Sequence, residues 1–311
     1  MRPGYKQTRF GVVPEGWEMR LVREKGEVTT GKALAAHAPG PQRPYLRTKN
    51  VFDGRIEIDD VLTMPMTDEE FARFQIRDGD VLLNEGQSLE LVGRCALYQN
   101  EFPEPCAIQN ALLRFRPNAG VCARFASYLF RYCQQTGVFG RIALQTTSIA
   151  HLGGSRFERL RLAWPPEPEQ RAIAEALSDV DGLLGALDRL IAKKRDLKQA
   201  VMQELLTGKT RLPGFEEEWG RKCLGDIGKC LRGVSYRGGV DLSPNDTPRT
   251  KRLLRSNNVQ DAAVITSDIQ FVNADRVAAQ QLLTLGDILV CMANGSKSLV
   301  GKAGLFKQMD G

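Results

Sequence analysis

The sequence predicts an α+β protein in which two mixed globular domains are joined by one long coiled-coil-forming α-helix, with the second domain incomplete. Three observations lead to this prediction. The chain has 311 residues, which suggests two domains. One segment has uninterrupted helical periodicity, and three segments of the first part recur in the second. The predicted parts are residues 1–166, 167–211 and 212–311.

The first domain, residues 1–166, consists of short strand-like runs separated by turn formers. The runs FDGRIEID and RDGDVLL and the loop APGPQRP are examples. Such spacing is typical of short strands rather than of long helices. Gly79-Asp80 is best interpreted as a structural turn between two of these strands.

The middle part, residues 167–211, predicts one helix that ends near residue 207. Pro168 suits a first helical turn, and Gly208 lies where a helix is expected to stop. Apolar residues alternate three and four apart, as in a coiled coil. We therefore predict that the helix pairs with another through Ile173, Leu177, Val180, Leu184, Leu187, Ile191, Val201 and Leu205.

Charge along this helix is polarised. Residues 167–188 hold six acidic residues and one basic residue, Arg171, whereas residues 189–211 hold seven basic residues and two acidic ones. Two copies would attract each other when antiparallel and repel when parallel. The alternative is a surface helix that packs only on its own domain.

The third part, residues 212–311, repeats the first. YLRTKNVFDG at 45–54 returns as LLRSNNVQDA at 253–262, RDGDVLLNEG at 77–86 as TLGDILVCMANG at 284–295, and LVGRCALY at 91–98 as LVGKAGLF at 299–306. Three collinear matches at nearly one offset indicate a duplication. The second copy stops at a point that corresponds to residue 103 of the first.

Composition excludes several classes of protein. Hydrophobic residues make up 42% and charged residues 26%, and no apolar run is long enough for a membrane span, so we expect a soluble, cytoplasmic protein without a membrane partner. Seven dispersed cysteines and two distant histidines predict neither a disulfide framework nor a metal site. The net charge of +6 permits an acidic partner without requiring one.

Catalytic motifs are missing or incomplete. Thr207-Gly208-Lys209-Thr210 is similar to the end of a phosphate-binding loop, but Gln203 stands where the first glycine belongs. No Asn/Asp-Pro-Pro-aromatic motif of adenine methyltransferases is present, and Asp80 with Glu85 lacks the lysine of a nuclease site. We expect no enzyme activity.

The central part of the chain resembles specificity subunits of type I restriction-modification systems. The resemblance rests on a specific string of motifs in order and spacing, and together with the duplication it covers essentially the whole chain. These motifs are Pro165-Pro166, Glu169-Gln170, Lys193-Lys194, Lys198, Met202-Gln203, Leu205-Leu206-Thr207-Gly208-Lys209 and Arg211-Leu212-Pro213-Gly214-Phe215.

The resemblance implies two target recognition domains, each recognising half of a bipartite sequence in double-stranded DNA, with long helices that pair antiparallel and set the gap. It implies modification (methyltransferase) subunits and a restriction subunit as partners. It also implies that S-adenosylmethionine is bound by the modification subunit, so that this chain carries no cofactor.

Within this interpretation, the DNA-contact candidates are the basic, amide and hydroxyl residues of the repeated turns and the first loop. Arginine pairs with guanine and asparagine or glutamine with adenine, while lysine and serine more often hold phosphates. The candidates are Lys32, Arg43, Arg47, Lys49, Asn50, Asn84, Gln87, Ser88 and Arg94 in the first copy, and Arg255, Asn257, Asn258, Asn294, Ser296, Lys297 and Lys302 in the second. Alternatively, residues shared by the copies serve the fold.

Other functions stay open at this point. The chain could be a truncated or half specificity subunit that dimerises through its helix, is completed by a second specificity chain, or is inactive. It could also be a coiled-coil interaction protein without a DNA role, or a self-contained methyltransferase or nuclease. The sequence does not identify the recognised bases.

If the helix sets the gap between half-sites, deleting or inserting whole helical turns should change the length of that gap and leave both half-sites unaltered, because helix length follows residue count. Mapping methylated sites for a helix-length mutant tests this. An unchanged gap would refute the role of the helix as a spacer.

Overall fold

The chain divides into two units, residues 1–203 and 204–311. The computed structural model describes residues 4–8, 11–35, 38–146, 148–260 and 262–307. Each unit is an assembly of short strands with few helices, as the turn-rich sequence predicts.

The first unit contains fourteen strands and six helices among its described residues. The strands are β1 (Tyr5–Thr8), β2 (Gly11–Pro14), β3 (Glu18–Leu21), β4 (Gly26–Thr30), β5 (Gln42–Leu46), β6 (Leu62–Pro65), β7 (Val81–Asn84), β8 (Gly86–Gln87), β9 (Cys95–Leu97), β10 (Ala107–Ile108), β11 (Leu112–Pro117), β12 (Leu144–Gln145), β13 (Ala150–His151) and β14 (Arg161–Trp164). The helices are α1 (Val22–Lys25), α2 (Asp68–Phe74), α3 (Ala123–Gln135), α4 (Val138–Ile142), α5 (Gly154–Glu158) and α6 (Glu167–Leu205).

Small sheets pack around a common core. The central sheet has the order β4-β11-β7-β9 and is antiparallel throughout. A second sheet, β10-β5-β6, pairs β10 parallel to β5, with Ala107 opposite Tyr45. The strands β12, β13 and β8 form a third, smaller sheet. In the central sheet, hydrophobic residues on both faces are buried: one face packs against helix α3 and the other against the β10-β5-β6 sheet.

Helix α3 supplies much of the core. Ala126, Phe130 and Cys133 recur four and three apart and are buried together with Phe125, which places them on one face of the helix. The ring of Phe130 meets Phe115 and Phe157 edge to face, each at 5.0 Å between centroids.

Helix α6 confirms the long helix predicted from residue 167 onward. Its 39 residues span about 58 Å. Its first turns are fixed to the first unit: Gln170 is buried, donates from Nε2 to the Pro165 carbonyl at 2.9 Å and accepts from the Cys122 amide at 3.0 Å. Farther along, Asp181 accepts hydrogen bonds from the Tyr128 hydroxyl and from Arg131. Residues 186–204 are all exposed.

The second unit has the elements α7 (Leu224–Ile227), α8 (Gly238–Asp241), β15 (Leu242–Ser243), β16 (Thr250–Leu253), β17 (Val259–Gln260), β18 (Ala263–Val264), β19 (Gln270–Asn273), β20 (Ile288–Val290) and β21 (Ala303–Leu305). Its sheets have the orders β15-β19-β16 and β17-β18-β21-β20. Single 3-10 turns cover Thr48–Asn50 in the first unit and Ser256–Asn258, Ala274–Arg276, Ala279–Gln281 and Lys297–Leu299 in the second.

The duplication predicted from sequence is present in the hydrogen bonds of one turn. In the first unit, the side chain of Asn50 accepts from the Arg47 amide and donates to the carbonyls of Glu57 and Asp60. The second unit repeats this arrangement 208 residues later. There Asn258 accepts from the Arg255 amide and donates to the carbonyls of Ile265 and Ser267.

The repeated hairpins also share their register. Pro44 lies opposite Thr63 in the β5-β6 pair, and Arg252 lies opposite Phe271 in the β16-β19 pair. Gly79 and Gly286 both adopt a positive φ, of 87° and 94°, at the turn before β7 and β20. This confirms the interpretation of Gly79-Asp80 as a structural turn.

We predict that Asn50→Ala destabilises the first unit by about 1–3 kcal/mol, because three partly buried backbone groups lose the partner that the buried side chain provides. The measurement is urea denaturation followed by tryptophan fluorescence in a Trp219→Phe background, which leaves Trp17 and Trp164 of the first unit as reporters. Lys49→Ala, on the exposed side of the same turn, should change stability by no more than about 0.5 kcal/mol. Equal effects of the two substitutions would contradict the structural role of Asn50.

Candidate nucleic-acid interface

The turn after β5 carries a cluster of charge on its outer side. Asp60 accepts from Arg47 Nη2 at 2.6 Å and from Lys49 Nζ at 2.8 Å. The hydrogen bond from Lys49, with that from Arg47, holds the pKa of Asp60 below its usual range. Lys49 is exposed, so a phosphate can reach its ammonium group beside the paired Asp60, whereas Arg47 is half-buried.

Three residues that were predicted to contact DNA have buried side chains. Asn50 and Asn258 are enclosed and hold the repeated turns. Asn84 is also enclosed and donates to the Val51 carbonyl at 3.2 Å. Burial speaks against direct base contacts by these three amides, because a fully enclosed side chain does not reach a groove. They shape the turns that carry their neighbours.

Two predicted cations near the first loop already have carboxylate partners. Lys32 is buried and forms an ion pair with Glu70, and this hydrogen bond lowers the pKa of Glu70. A phosphate contact by Lys32 therefore does not fit the structure. Arg43 is half-buried, pairs with Asp68 at 2.8 Å and covers the ring of Phe71.

Arg94 is part of a stack of three side chains, of which only Arg94 was predicted from the sequence. The guanidinium groups of Arg94 and Arg55 each lie 4.9 Å from the centroid of the Phe52 ring. Burial lowers the pKa of Arg94, and neighbouring Arg55 adds to the effect. Neither Phe52 nor Arg55 was predicted. Their signal was the FDGR turn. The Phe52 amide donates to the Arg55 carbonyl across this turn, with Gly54 at a positive φ, which brings the two side chains together.

Gln87 and Ser88 extend from the small β12-β13-β8 sheet. Gln87 is half-buried and lies opposite Ala150, and Ser88 is exposed. Glu85 fixes this sheet: its carboxylate contacts His151 Nδ1 at 2.9 Å and accepts from the Gly153 amide at 3.3 Å. Because β12 ends in Gln145, amide side chains from two distant segments share one sheet.

The second unit presents different groups on the shared turn. Asp268 accepts from Arg255 at 3.1 Å and from Asn257 at 3.0 Å, so Asn257 takes the place of Lys49. Lys302 is the counterpart of Arg94. In the first unit the Arg94 carbonyl accepts from the Asn84 amide, and in the second the Lys302 carbonyl accepts from the Cys291 amide in the same way. At the positions of Phe52 and Arg55, the second unit has Gln260 and Ala263.

The loop after β20 holds the other predicted residues of the second unit. By the same backbone bonds, the counterpart of Asn84 is Cys291, so Asn294 lies in a loop that is one residue longer than its counterpart in the first unit. Asn294 Oδ1 accepts from the Ser296 amide at 3.1 Å, and Ser296 contacts Ser298 at 2.8 Å. Lys297 and Ser296 are exposed.

The predicted helix-pairing residues divide into two groups. Ile173 packs against the core of the first unit, so its side chain is already covered. Leu205 is half-buried. The other six are between 41 and 54% exposed although they are large and apolar: Leu177, Val180, Leu184, Leu187, Ile191 and Val201. We call these six residues the α6 stripe.

No metal site competes with these surfaces in the described part of the chain. Its histidine, cysteine, aspartate and glutamate side chains form no group of three suited to a metal ion. The described helices include none with the length and apolar character to cross a membrane. What the surfaces offer is hydrogen-bond donors, amides and exposed cations, which are the groups that contact phosphates and base edges.

Comparisons with known proteins also point to DNA recognition. The model of the family described as type I restriction modification DNA specificity domain matches residues 14–193. The chain is 28% identical over 206 residues to the putative type I restriction enzyme MjaX specificity subunit of Methanocaldococcus jannaschii, covering 65% of this chain and 48% of that one. It is 22% identical over 315 residues to the type I restriction enzyme EcoKI specificity subunit of Escherichia coli, covering 96% of this chain and 66% of that one.

The chain thus spans less than two thirds of the length of either relative. Among solved structures, the HsdS subunit from Thermoanaerobacter tengcongensis is similar with a TM-score of 0.43 at 18% identity, covering 66% of this chain and 46% of that one.

Proposed function

Since the chain belongs to the family of type I restriction modification DNA specificity domains, we propose that it recognises a bipartite DNA sequence for a type I restriction-modification complex. The first unit would contact one half-site. The second unit, with its related turn, would contact a different one.

The main support for this proposal is that the repeated turn has the same residues and bonds on its inside in both units but different side chains on its outside. Inside, the asparagine that closes the turn and its backbone bonds are the same in both units. Outside, Lys49 is replaced by Asn257 and Arg94 by Lys302. A constant scaffold with changed donors is what two modules need in order to recognise different bases.

We propose further that the chain performs no catalysis and holds no cofactor. Methyl transfer from S-adenosylmethionine would take place in modification subunits, and cleavage would require the restriction subunit. The chain would place these partners on double-stranded DNA in the cytoplasm. The absence of catalytic motifs in the sequence supports this division of labour.

The α6 stripe supports a second part of the proposal. Large apolar side chains exposed along one face of a long helix are stabilised when another helix covers them. We propose that the partner is an antiparallel helix, from a second copy of this chain or from another specificity chain. The acidic first half and basic second half of α6 favour this direction.

DNA recognition is tested with the complex of this chain and its modification subunit. Mapping methylated adenines identifies the target, and fluorescence anisotropy over a salt series then measures binding to it. Lys49→Ala should reduce the slope of log K against log salt by about one, because one phosphate contact is lost. Arg94→Ala should relax the preference at one base pair and cost about 1–3 kcal/mol for the matched site.

Lys193→Ala, on the exposed surface of α6, is the matched control and should leave target preference unchanged. A complex that binds all duplexes equally, or in which neither variant differs from this control, would refute the assignment of the turn as a DNA contact.

The stripe is tested with Leu184→Asp combined with Ile191→Asp. Because the pairing interface would then bury two charges, we expect the dissociation constant between helices to rise at least tenfold, on the order of 1.4 kcal/mol or more. Analytical ultracentrifugation of the chain, alone and with a second specificity chain, gives the measurement. Ala186→Asp adds a charge on the opposite face of α6 and should have no such effect; equal behaviour of the two variants would exclude pairing through the stripe.

A further inference from the structure

Arg94 differs from the other arginines of the first unit that are buried or half-buried in the described part of the chain. Each of the others has an acceptor for its guanidinium group: Arg43, Arg47, Arg114, Arg116, Arg131 and Arg156. The guanidinium of Arg94 donates no hydrogen bond to a described residue and forms no ion pair with one. Only its Nε atom is enclosed, so the two Nη groups are open to the surface. Because a guanidinium carries five N–H donors, this lack of an acceptor is evidence for one supplied by a ligand.

The backbone of Arg94 is held on both sides. Its amide donates to the Leu91 carbonyl at 3.0 Å, and its carbonyl accepts from the Asn84 amide at 2.9 Å. The preceding Gly93 adopts a φ of 77°, and a Cβ atom there would overlap the ring of Phe139. The side chain of Arg94 therefore starts from a fixed position.

The ring of Phe52 restricts the other end of this side chain. The guanidinium groups of Arg94 and Arg55 lie at the same distance from the ring centroid, 4.9 Å. Arg55 is also paired with Glu57 at 2.8 Å. Of the two cations at the ring, only Arg94 is thus without a carboxylate partner among the described residues. An acceptor beside Arg94 would offset the burial of its charge.

The turn that carries this ring is fixed to three elements. Asp53 accepts from Arg131 Nε of α3 at 3.0 Å, and Arg131 Nη1 donates to Asp181 of α6 at 3.2 Å. The Gly54 amide donates to the carbonyl of Cys95 in β9 at 2.9 Å. A donor group held in this way loses little conformational entropy when it binds.

We propose that Arg94 recognises a guanine in the half-site of the first unit, with its two Nη groups donating to the O6 and N7 atoms. Phe52 is a positioning residue that holds the guanidinium for this contact. The inference rests on the proposed function and names the base that this site binds. Guanine alone presents two acceptors on its major-groove edge, since adenine and thymine present one each and cytosine presents a donor.

A phosphate is the rival acceptor on the same DNA. It accepts from a mobile lysine ammonium as well as from arginine, so it requires no restricted pair of donors. Lys49 offers such an ammonium group on an exposed side chain. The enclosed Nε and the neighbouring ring of Phe52 favour the base edge for Arg94.

The second unit lacks this arrangement. Lys302 is the counterpart of Arg94, and Gln260 and Ala263 stand at the positions of Phe52 and Arg55. A lysine is a point charge without the paired donors of a guanidinium. We therefore expect the guanine that depends on Arg94 in one half-site only.

The test uses the complex of the full chain with its modification subunit and the target found by mapping methylated adenines. Fluorescence anisotropy measures competition by duplexes with one base pair changed at a time. Arg94→Lys keeps the charge but removes the paired donors, so the preference for guanine at one position should fall at least about tenfold. Preferences at the other positions and the salt dependence of binding should stay the same.

Base analogues test the same contact without changing the protein. Placing 7-deazaguanine, which lacks the N7 acceptor, at that position should weaken binding of the unaltered complex and leave binding of Arg94→Lys unchanged. Inosine, which keeps O6 and N7, should be tolerated by both.

The positioning role of Phe52 is tested in the same assay. Phe52→Leu removes the ring and should reduce the preference for this guanine at least about threefold, because the guanidinium is less restricted. Phe52→Tyr keeps the ring and should restore the preference. A purely structural role would instead weaken binding to all duplexes alike.

Arg73→Lys is the matched control, because Arg73 is exposed on α2 and lies 5.3 Å from the ring centroid of Phe74. It should leave every preference unchanged. A mapped target at which Arg94→Lys and the control behave alike, or full tolerance of 7-deazaguanine, would overturn the inference while leaving the proposed function in place. Weaker binding of Arg94→Lys to all duplexes alike would assign Arg94 to a phosphate and also overturn it. Equal binding of all duplexes by the unaltered complex would refute the proposed function itself.

Discussion

The surface turn of each unit depends on the hydrogen bonds of one buried asparagine. Asn50 and Asn258 each form hydrogen bonds with three backbone groups of a turn. In a low-dielectric interior an unpaired amide or carbonyl costs more than the hydrogen bond itself contributes. The turn therefore tolerates little change inside, while the residues that point outward are free to differ.

Under the proposed function, this division would let one scaffold serve two targets. Lys49 and Asn257 both contact the carboxylate of an aspartate at the same place in the turn, yet one is a cation and the other an amide. Arg94 lies against the ring of Phe52, which restricts the guanidinium before any ligand arrives. Such pre-ordering reduces the loss of side-chain entropy on binding. It is a feature of the first unit, because the second unit has Gln260 in place of Phe52.

Helix α6 presents an exposed apolar face in the described part of the chain. The α6 stripe follows a helix whose first turns are held by Gln170 and Asp181 and whose residues 186–204 are all exposed. A second helix with a matching apolar face would cover such a stripe, as the proposed antiparallel pairing requires.

Local pattern in the sequence determined the α+β class, the long helix and the duplication, because periodicity, helix-stop glycine and repeated turns act over a few residues or recur at a fixed offset. It also identified the turns that carry Lys49, Arg94 and Asn257. Only the tertiary structure decided that Asn50, Asn84 and Asn258 lie inside, that Lys32 is paired with Glu70, and that Ile173 packs on the core. Burial depends on what distant segments bring to a residue: Glu85 meets His151 across 66 positions, and Phe52 meets Arg94 across 42. An asparagine in a turn has the same local sequence whether it faces a groove of DNA or three carbonyl and amide groups of its own chain, and only the fold distinguishes the two.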